Sequence, residues 1–238
     1  RFSYHPSRPR QTSQALHAKL SSPHQPQLTQ TPTDNGSASL AFVHPPHLSC
    51  DFEDPAKLKQ SEQLYQRAID LDPNFALAIA RYSQLESWME RTHEGTSEHH
   101  GKARTLAERA LQLQPDLPEA HLALGFSYYY GDNNYEAALK EFEIAQRALP
   151  NESEVYLAIG AIQRRQGRWA EYTANLEKAV SLNPKDTGPL QNLALNQQML
   201  RNYDAADNAV ARALELKPKE ADPRGTEARP ARTKNSDR

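Results

Sequence analysis

Three groups of side chains in this sequence are of types that could do chemistry. His93, His99 and His100 lie close together, with Glu94 and Glu98 between them. Imidazoles and carboxylates are metal ligands. Their spacing matches no structural zinc pattern, so this loop is expected to be solvated and to hold no metal. Cys50 is the single cysteine; it excludes an internal disulfide and any CxxC zinc site, and it is read as an incidental thiol. The third group is Tyr128-Tyr129-Tyr130 and Arg164-Arg165. Rigid aromatic and guanidinium groups are the side chains that dominate protein-binding hot spots. No GxSxG elbow, HExxH motif, kinase signature or phosphate-cradling glycine loop occurs, and glycine is only 9 of 238 residues. No catalytic residue and no cofactor is assigned, and the chain is read as non-enzymatic.

The elements that must carry these groups emerge from an uneven composition. Residues 1–50 hold 7 of the 17 prolines, 5 of the 9 histidines and one acidic residue, Asp34. Their apolar residues follow no sustained period, and the prolines interrupt most helices placed there. The segment is expected to be a disordered Pro/Ser/His-rich tail, with Pro6-Ser7-Arg8-Pro9 its one weak match to a PxxP motif flanked by a basic residue. Residues 219–238 contain no Leu, Ile, Val, Phe, Tyr, Trp or Met. They are expected to be a second disordered, charged tail.

Between the tails, residues 51–218 carry 25 acidic and 18 basic residues, a net of −7. That balance disfavours nucleic acid, which needs a basic surface. No apolar run approaches the ~18 residues that a membrane helix needs, so no span is expected within the chain. Cytoplasm is the default compartment, with a membrane-anchored parent protein left open.

A repeat period organises this region. Pro73, Pro115, Pro150, Pro184 and Pro218 stand 42, 35, 34 and 34 residues apart, each closing a similar word such as RAIDLDP, KAVSLNP or RALELKP. Ala68, Ala110, Ala145, Ala179 and Ala213 each lie five residues before the proline; Tyr65, Phe142, Leu176 and Val210 lie eight before it, where Ala107 is the exception. A proline cannot continue a helix, so it sets where each helix stops. A small residue beside a large one lets two helices approach closely. The first helices add Leu124-Gly125, Ile159-Gly160 and Leu193-Ala194.

These positions resemble the tetratricopeptide (TPR) repeat family over about residues 55–218. The units are a half repeat 55–74, a degenerate repeat 75–117 with a lengthened turn, and repeats 118–152, 153–186 and 187–220. The resemblance implies an all-α, right-handed superhelical solenoid of antiparallel helix pairs, its concave face lined by first helices. Nothing in 219–238 can cap the last pair, so apolar surface is expected around Val210 and Leu214, with truncation or self-association there. The style of Ala120–Gly125 and Pro150–Trp169 is also similar to TPR portions of bacterial multidomain signalling proteins, fused to kinase, cyclase or winged-helix domains. None of those domains is in this chain, so only a sensing or docking role carries over.

In that family, ligand contacts come from first-helix positions 2, 5, 6, 9, 12 and 13. Mapped here, they give Gln84, Ser87 and Trp88, then Phe126, Tyr129 and Tyr130, then Ala161, Arg164 and Arg165, then Gln191, Asn192 and Gln198. Three consecutive tyrosines span about 200° of a helix and cannot share one core. Tyr128 fits the packing position, leaving Tyr129 and Tyr130 for the groove near Arg164 and Arg165. The expected partner is a protein segment, extended or helical, that carries carboxylates. The two-carboxylate clamp of co-chaperone members is not matched, because Ala80, Gln84, Ala123, Leu157 and Ala161 stand at its positions.

Overall fold

Each repeated proline falls two residues past the end of a helix wherever the structure describes it. The structure, a computed structural model, describes residues 33–43, 55–91 and 97–216. Among these are ten helices and no strand: α1 Gly36–Val43, α2 Pro55–Leu71, α3 Ala76–Arg91, α4 Ser97–Leu113, α5 Pro118–Tyr130, α6 Tyr135–Ala148, α7 Ser153–Arg165, α8 Trp169–Leu182, α9 Thr187–Met199 and α10 Tyr203–Leu216. Pro73, Pro115, Pro150 and Pro184 follow α2, α4, α6 and α8. Pro218 lies outside the described residues, as do Cys50, His93 and the tail 219–238.

Helices pack pairwise as α3 with α4, α5 with α6, α7 with α8 and α9 with α10, and each pair leans on the next. The buried residues form a seam rather than one central core, as stacked repeats require. The small–large matching is visible at Gly125, where an added Cβ would collide with the Phe142 ring. At Gly160 the neighbour is Tyr172, at 3.1 Å from an added Cβ, and not Leu176. The turns inside the three regular pairs share a device with the same period: Asn133 (φ 52°), Gly167 (φ 72°) and Arg201 (φ 62°) are all left-handed. Only the middle one is glycine, which takes that conformation without steric cost.

The expectation of disorder throughout 1–50 does not hold at 33–43. Asn35 caps α1 by accepting from the Ser37 and Ala38 amides, and its Nδ2 donates to the Leu71 carbonyl at 2.7 Å. The Thr33 hydroxyl donates to the Asp72 carboxylate. Ala38 is fully buried, and the Phe42 ring lies 5.0 Å from Phe75 and 6.3 Å from Tyr65. Residues 33–44 form a window free of proline, long enough for two turns of helix. This helix packs on α2, so the unit read as a half repeat has a partner after all. The remainder of the tail lies outside the described residues.

Candidate functional site

The first helices α3, α5, α7 and α9 carry the positions mapped as a groove, and burial divides those positions sharply. Gln84 and Tyr129 are buried at 2% and 5% exposure. Gln84 is used between helices: its Oε1 accepts from Arg81 at 2.9 Å, and its Nε2 reaches the Glu119 carbonyl. Tyr129 belongs to the core with Phe142, Val155 and Ile162. Tyr129, assigned to the groove, is therefore a core residue, while Tyr128 lies against the core as assigned. Tyr128 is half-buried beneath the Arg104 guanidinium, 5.0 Å from its ring centre. Tyr129 is covered because α5 packs on α6 and touches α7, whose Phe142, Val155 and Ile162 share a core cluster with it.

Ser87 is fully buried as well, and the remaining mapped residues stay accessible in part or fully. Phe126 and Tyr130 are half-buried and stacked on each other at 6.0 Å. Trp88 is half-buried with the Arg91 guanidinium 4.9 Å from its ring centre. Arg164, Arg165, Gln191, Asn192 and Gln198 are exposed. Arg165 Nε donates to the Tyr129 hydroxyl at 3.4 Å, and that bond first of all holds its guanidinium pKa above the ordinary value. Burial pushes the Tyr130 phenol up, while the nearby charges of Arg91 and Arg164 work against that shift. Arg91, Arg164 and Arg165 thus gather at the C-terminal ends of α3 and α7, around the end of α5. Cations are favoured at helix C-termini, and here aromatic rings hold them in place. Arg91 was not singled out in the sequence; its spacing of three from Trp88 is the signal that marks it.

A second charged group joins two first helices that are not neighbours. Arg81 of α3 and Glu154 of α7 form an ion pair at 3.0 Å although 73 residues separate them. Glu119 and Glu152 lie close enough for their charges to act on both. Burial raises the Glu154 carboxyl pKa, Arg81 opposes that, and Glu152 adds to it. Burial also pushes the Tyr65 phenol, beside this pair, up to about 12. Sequence reading missed both partners. Arg81 at position 6 and Glu154 at position 2 of their units stand on the family's contact list, and reading those positions would have found them.

His99 and His100 do not lie in a loop but sit in the first turn of α4, which begins at Ser97. His99 Nδ1 is 2.6 Å from Glu86 Oε2, and Lys102 Nζ is 2.7 Å from Glu86 Oε1; the Glu86 side chain has no exposed surface. Lys102 also meets Glu62 at 3.2 Å and the Tyr82 hydroxyl. Burial works against the Lys102 charge, but its bonds to Glu86 and Tyr82 raise its pKa well above the usual lysine value. His100 lies between Glu90 at 3.6 Å and Asp132 at 3.2 Å, with its ring where a Cβ on Gly131 would be. Among the described residues, no three His, Cys, Asp or Glu side chains are arranged to hold a metal. None of the described helices is long and apolar enough to cross a membrane.

No protein-family model matches the chain. Two curated relatives match part of it. Mouse protein O-mannosyl-transferase TMTC1 is 32% identical over 139 residues, 57% of this chain and 14% of that protein. Human protein O-mannosyl-transferase TMTC1 is 28% identical over 100 residues, 41% of this chain and 11% of that protein. The matched stretch is thus a small part of each relative's length. The crystal structure of TTC0263, a thermophilic TPR protein from Thermus thermophilus, superposes with a TM-score of 0.60 at 16% identity, covering 77% of this chain and 93% of that one. With the 34-residue period, the paired helices and the recurring left-handed turn residue, this likeness establishes that the chain has the tetratricopeptide-repeat fold.

Proposed function

We propose that this chain is a non-catalytic protein–protein interaction scaffold whose concave face holds a partner segment, extended or helical, bearing carboxylates. The observation that carries the reading is the gathering of Arg91, Arg164 and Arg165 around Tyr130 and Tyr129. Three exposed guanidinium groups beside half-buried aromatic rings match a partner with acidic groups flanking an apolar one. The net charge of −7 over residues 51–218 supports a protein partner over nucleic acid. The test is anisotropy titration with a labelled helical peptide carrying glutamates at i and i+4 around leucines, against the same peptide with lysines. The scaffold binds the acidic peptide in preference, and Arg164→Glu/Arg165→Glu weakens it about tenfold or more, the loss of at least one charge-assisted contact. Equal retention of both peptides, or no change in the double variant, removes the reading.

Two extensions belong to the same reading. Val210 and Leu214, expected to be bare, are 41% and 37% exposed, and Leu195, Met199 and Tyr203 lie open nearby. They support self-association through the last pair, which Val210→Lys/Leu214→Lys would abolish in sedimentation experiments. The second extension is that the array is the docking portion of a larger protein. Its support is that the relatives align over only 14% and 11% of their length. On this reading a catalytic or DNA-binding domain lies elsewhere in the parent: a kinase, cyclase or winged-helix domain by resemblance, or a mannosyl-transfer domain by relationship. The reading frame on either side of the coding sequence decides between them, and also bears on the cytoplasmic location taken as default.

A further inference from the structure

We propose that the Arg81–Glu154 ion pair is a latch that sets how far the concave groove opens. It rests on the groove being the partner site only for its consequence in binding; the opening itself is measured without a partner. The pair joins α3 to α7, while α5 lies between them, packed on α3 and touching α7. Turning the units apart along the solenoid therefore lengthens the gap that these two side chains span. The donor is fixed from its own helix, because the same Arg81 Nη1 also donates to Gln84 Oε1, and Gln84 reaches across to the Glu119 carbonyl of α5. The acceptor stands in the first turn of α7, at the end where this unit meets the one before it.

The pair is breakable as well as bridging. Each side chain keeps about a quarter of its surface exposed, 23% and 24%, so water and a partner reach it from the groove. The charges of Glu119 on α5 and of Glu152 and Glu154 at the start of α7 all act on Arg81, which pairs directly with Glu154. Like charges this close repel. Removing Arg81 leaves Glu154 without its ion-pair partner beside Glu119 and Glu152, so the closed groove becomes its strained state. Removing the Glu154 charge leaves only two carboxylates, and an amide in its place still accepts from Arg81. The two single substitutions are therefore unequal, which a merely local contact does not require. The charge of Glu154 also acts on the Tyr130 phenol, together with those of Arg91 and Arg164, so the latch adjoins the arginine cluster.

Double electron–electron resonance reads the opening directly. Spin labels at exposed Asn74 and Asn151, placed by Asn74→Cys and Asn151→Cys in a Cys50→Ser background, flank the starts of α3 and α7. Arg81→Gln lengthens the distance by several ångströms and broadens its distribution, Glu154→Gln has a smaller effect, and Arg81→Glu/Glu154→Arg returns it towards the starting value. In the otherwise unmutated chain, about 1 M salt, where the screening length falls to about 3 Å, lengthens it too. An unchanged distance in Arg81→Gln with helical circular dichroism intact overturns the latch. If that variant does not fold, an unchanged distance at high salt overturns it. Arg164→Glu/Arg165→Glu leaves this distance alone while weakening the acidic peptide, so failure of the latch and failure of the partner reading are separate results.

Discussion

The pair α3–α4 and the pair α9–α10 are built on one period yet held together by opposite means. Between α3 and α4 the contact is charged. Glu86, with no exposed surface, meets Lys102 and His99, and the Ser83 hydroxyl donates to the Ala103 carbonyl at 2.6 Å. Around α9 and α10 the buried contact residues include Ala194, Ala206, Ala209 and Ala213, and a bond from Asn202 to Gln197 closes the turn. That last pair leaves Leu195, Met199, Val210 and Leu214 in the open. In α8 the stripe 34 residues earlier, Leu176, Ala179 and Val180, is buried, and α9 brings Leu190 and Leu193 to it. The first pair adds to its apolar packing of Ile79, Leu85, Ala107 and Ala110 a set of contacts that only one arrangement satisfies, as a buried charge demands. The last pair keeps the generic surface and lacks a cover.

That contrast can be broken experimentally, and the charged pair gives the largest effect. Lys102→Ala leaves the buried Glu86 carboxylate with His99 as its remaining ionic neighbour. Orphaning one member of a fully buried pair costs about 3–5 kcal/mol; because Lys102 keeps about a third of its surface exposed, the expected loss is about 2–3 kcal/mol in urea unfolding. A loss under about 0.5 kcal/mol would mean that α3–α4 is held by packing like the rest. A smaller effect of opposite sign is expected in the last pair. Arg201 sits at φ 62° where its counterpart is Gly167, so Arg201→Gly should stabilise by about 1 kcal/mol, the cost of a left-handed non-glycine residue. The smallest change is at the bare face. Val210→Lys/Leu214→Lys should alter monomer stability by no more than about 0.5 kcal/mol, as exposed positions do. A large loss would show that the stripe is already covered.

The same comparison explains what could be read from sequence. The ends of α2, α4, α6 and α8 are legible because they follow proline and alanine positions that local physics sets. The start of α4 at Ser97 was not, because charge pairing to α3 recruits His99 and His100 into a helix with no apolar period to announce it. Helix α1 was hidden by the prolines on both sides of it. In the groove, Arg164 and Arg165 are exposed where family positions put them, but Tyr129 is not. The side of α5 that carries Tyr129 is covered by residues of α6 and α7, and that is a tertiary property. Arg81–Glu154 is less legible still, since nothing local links residues 73 positions apart.

Trp88 reports on the central claim most directly, because it lies in the groove between the core and Arg91. In a Trp169→Phe background, its emission is followed while the acidic helical peptide is added. The account predicts a saturable change in Trp88 fluorescence that the lysine peptide does not produce and that Arg164→Glu/Arg165→Glu removes. Saturable binding of the acidic peptide that leaves Trp88 silent, or that survives the double substitution, would contradict it.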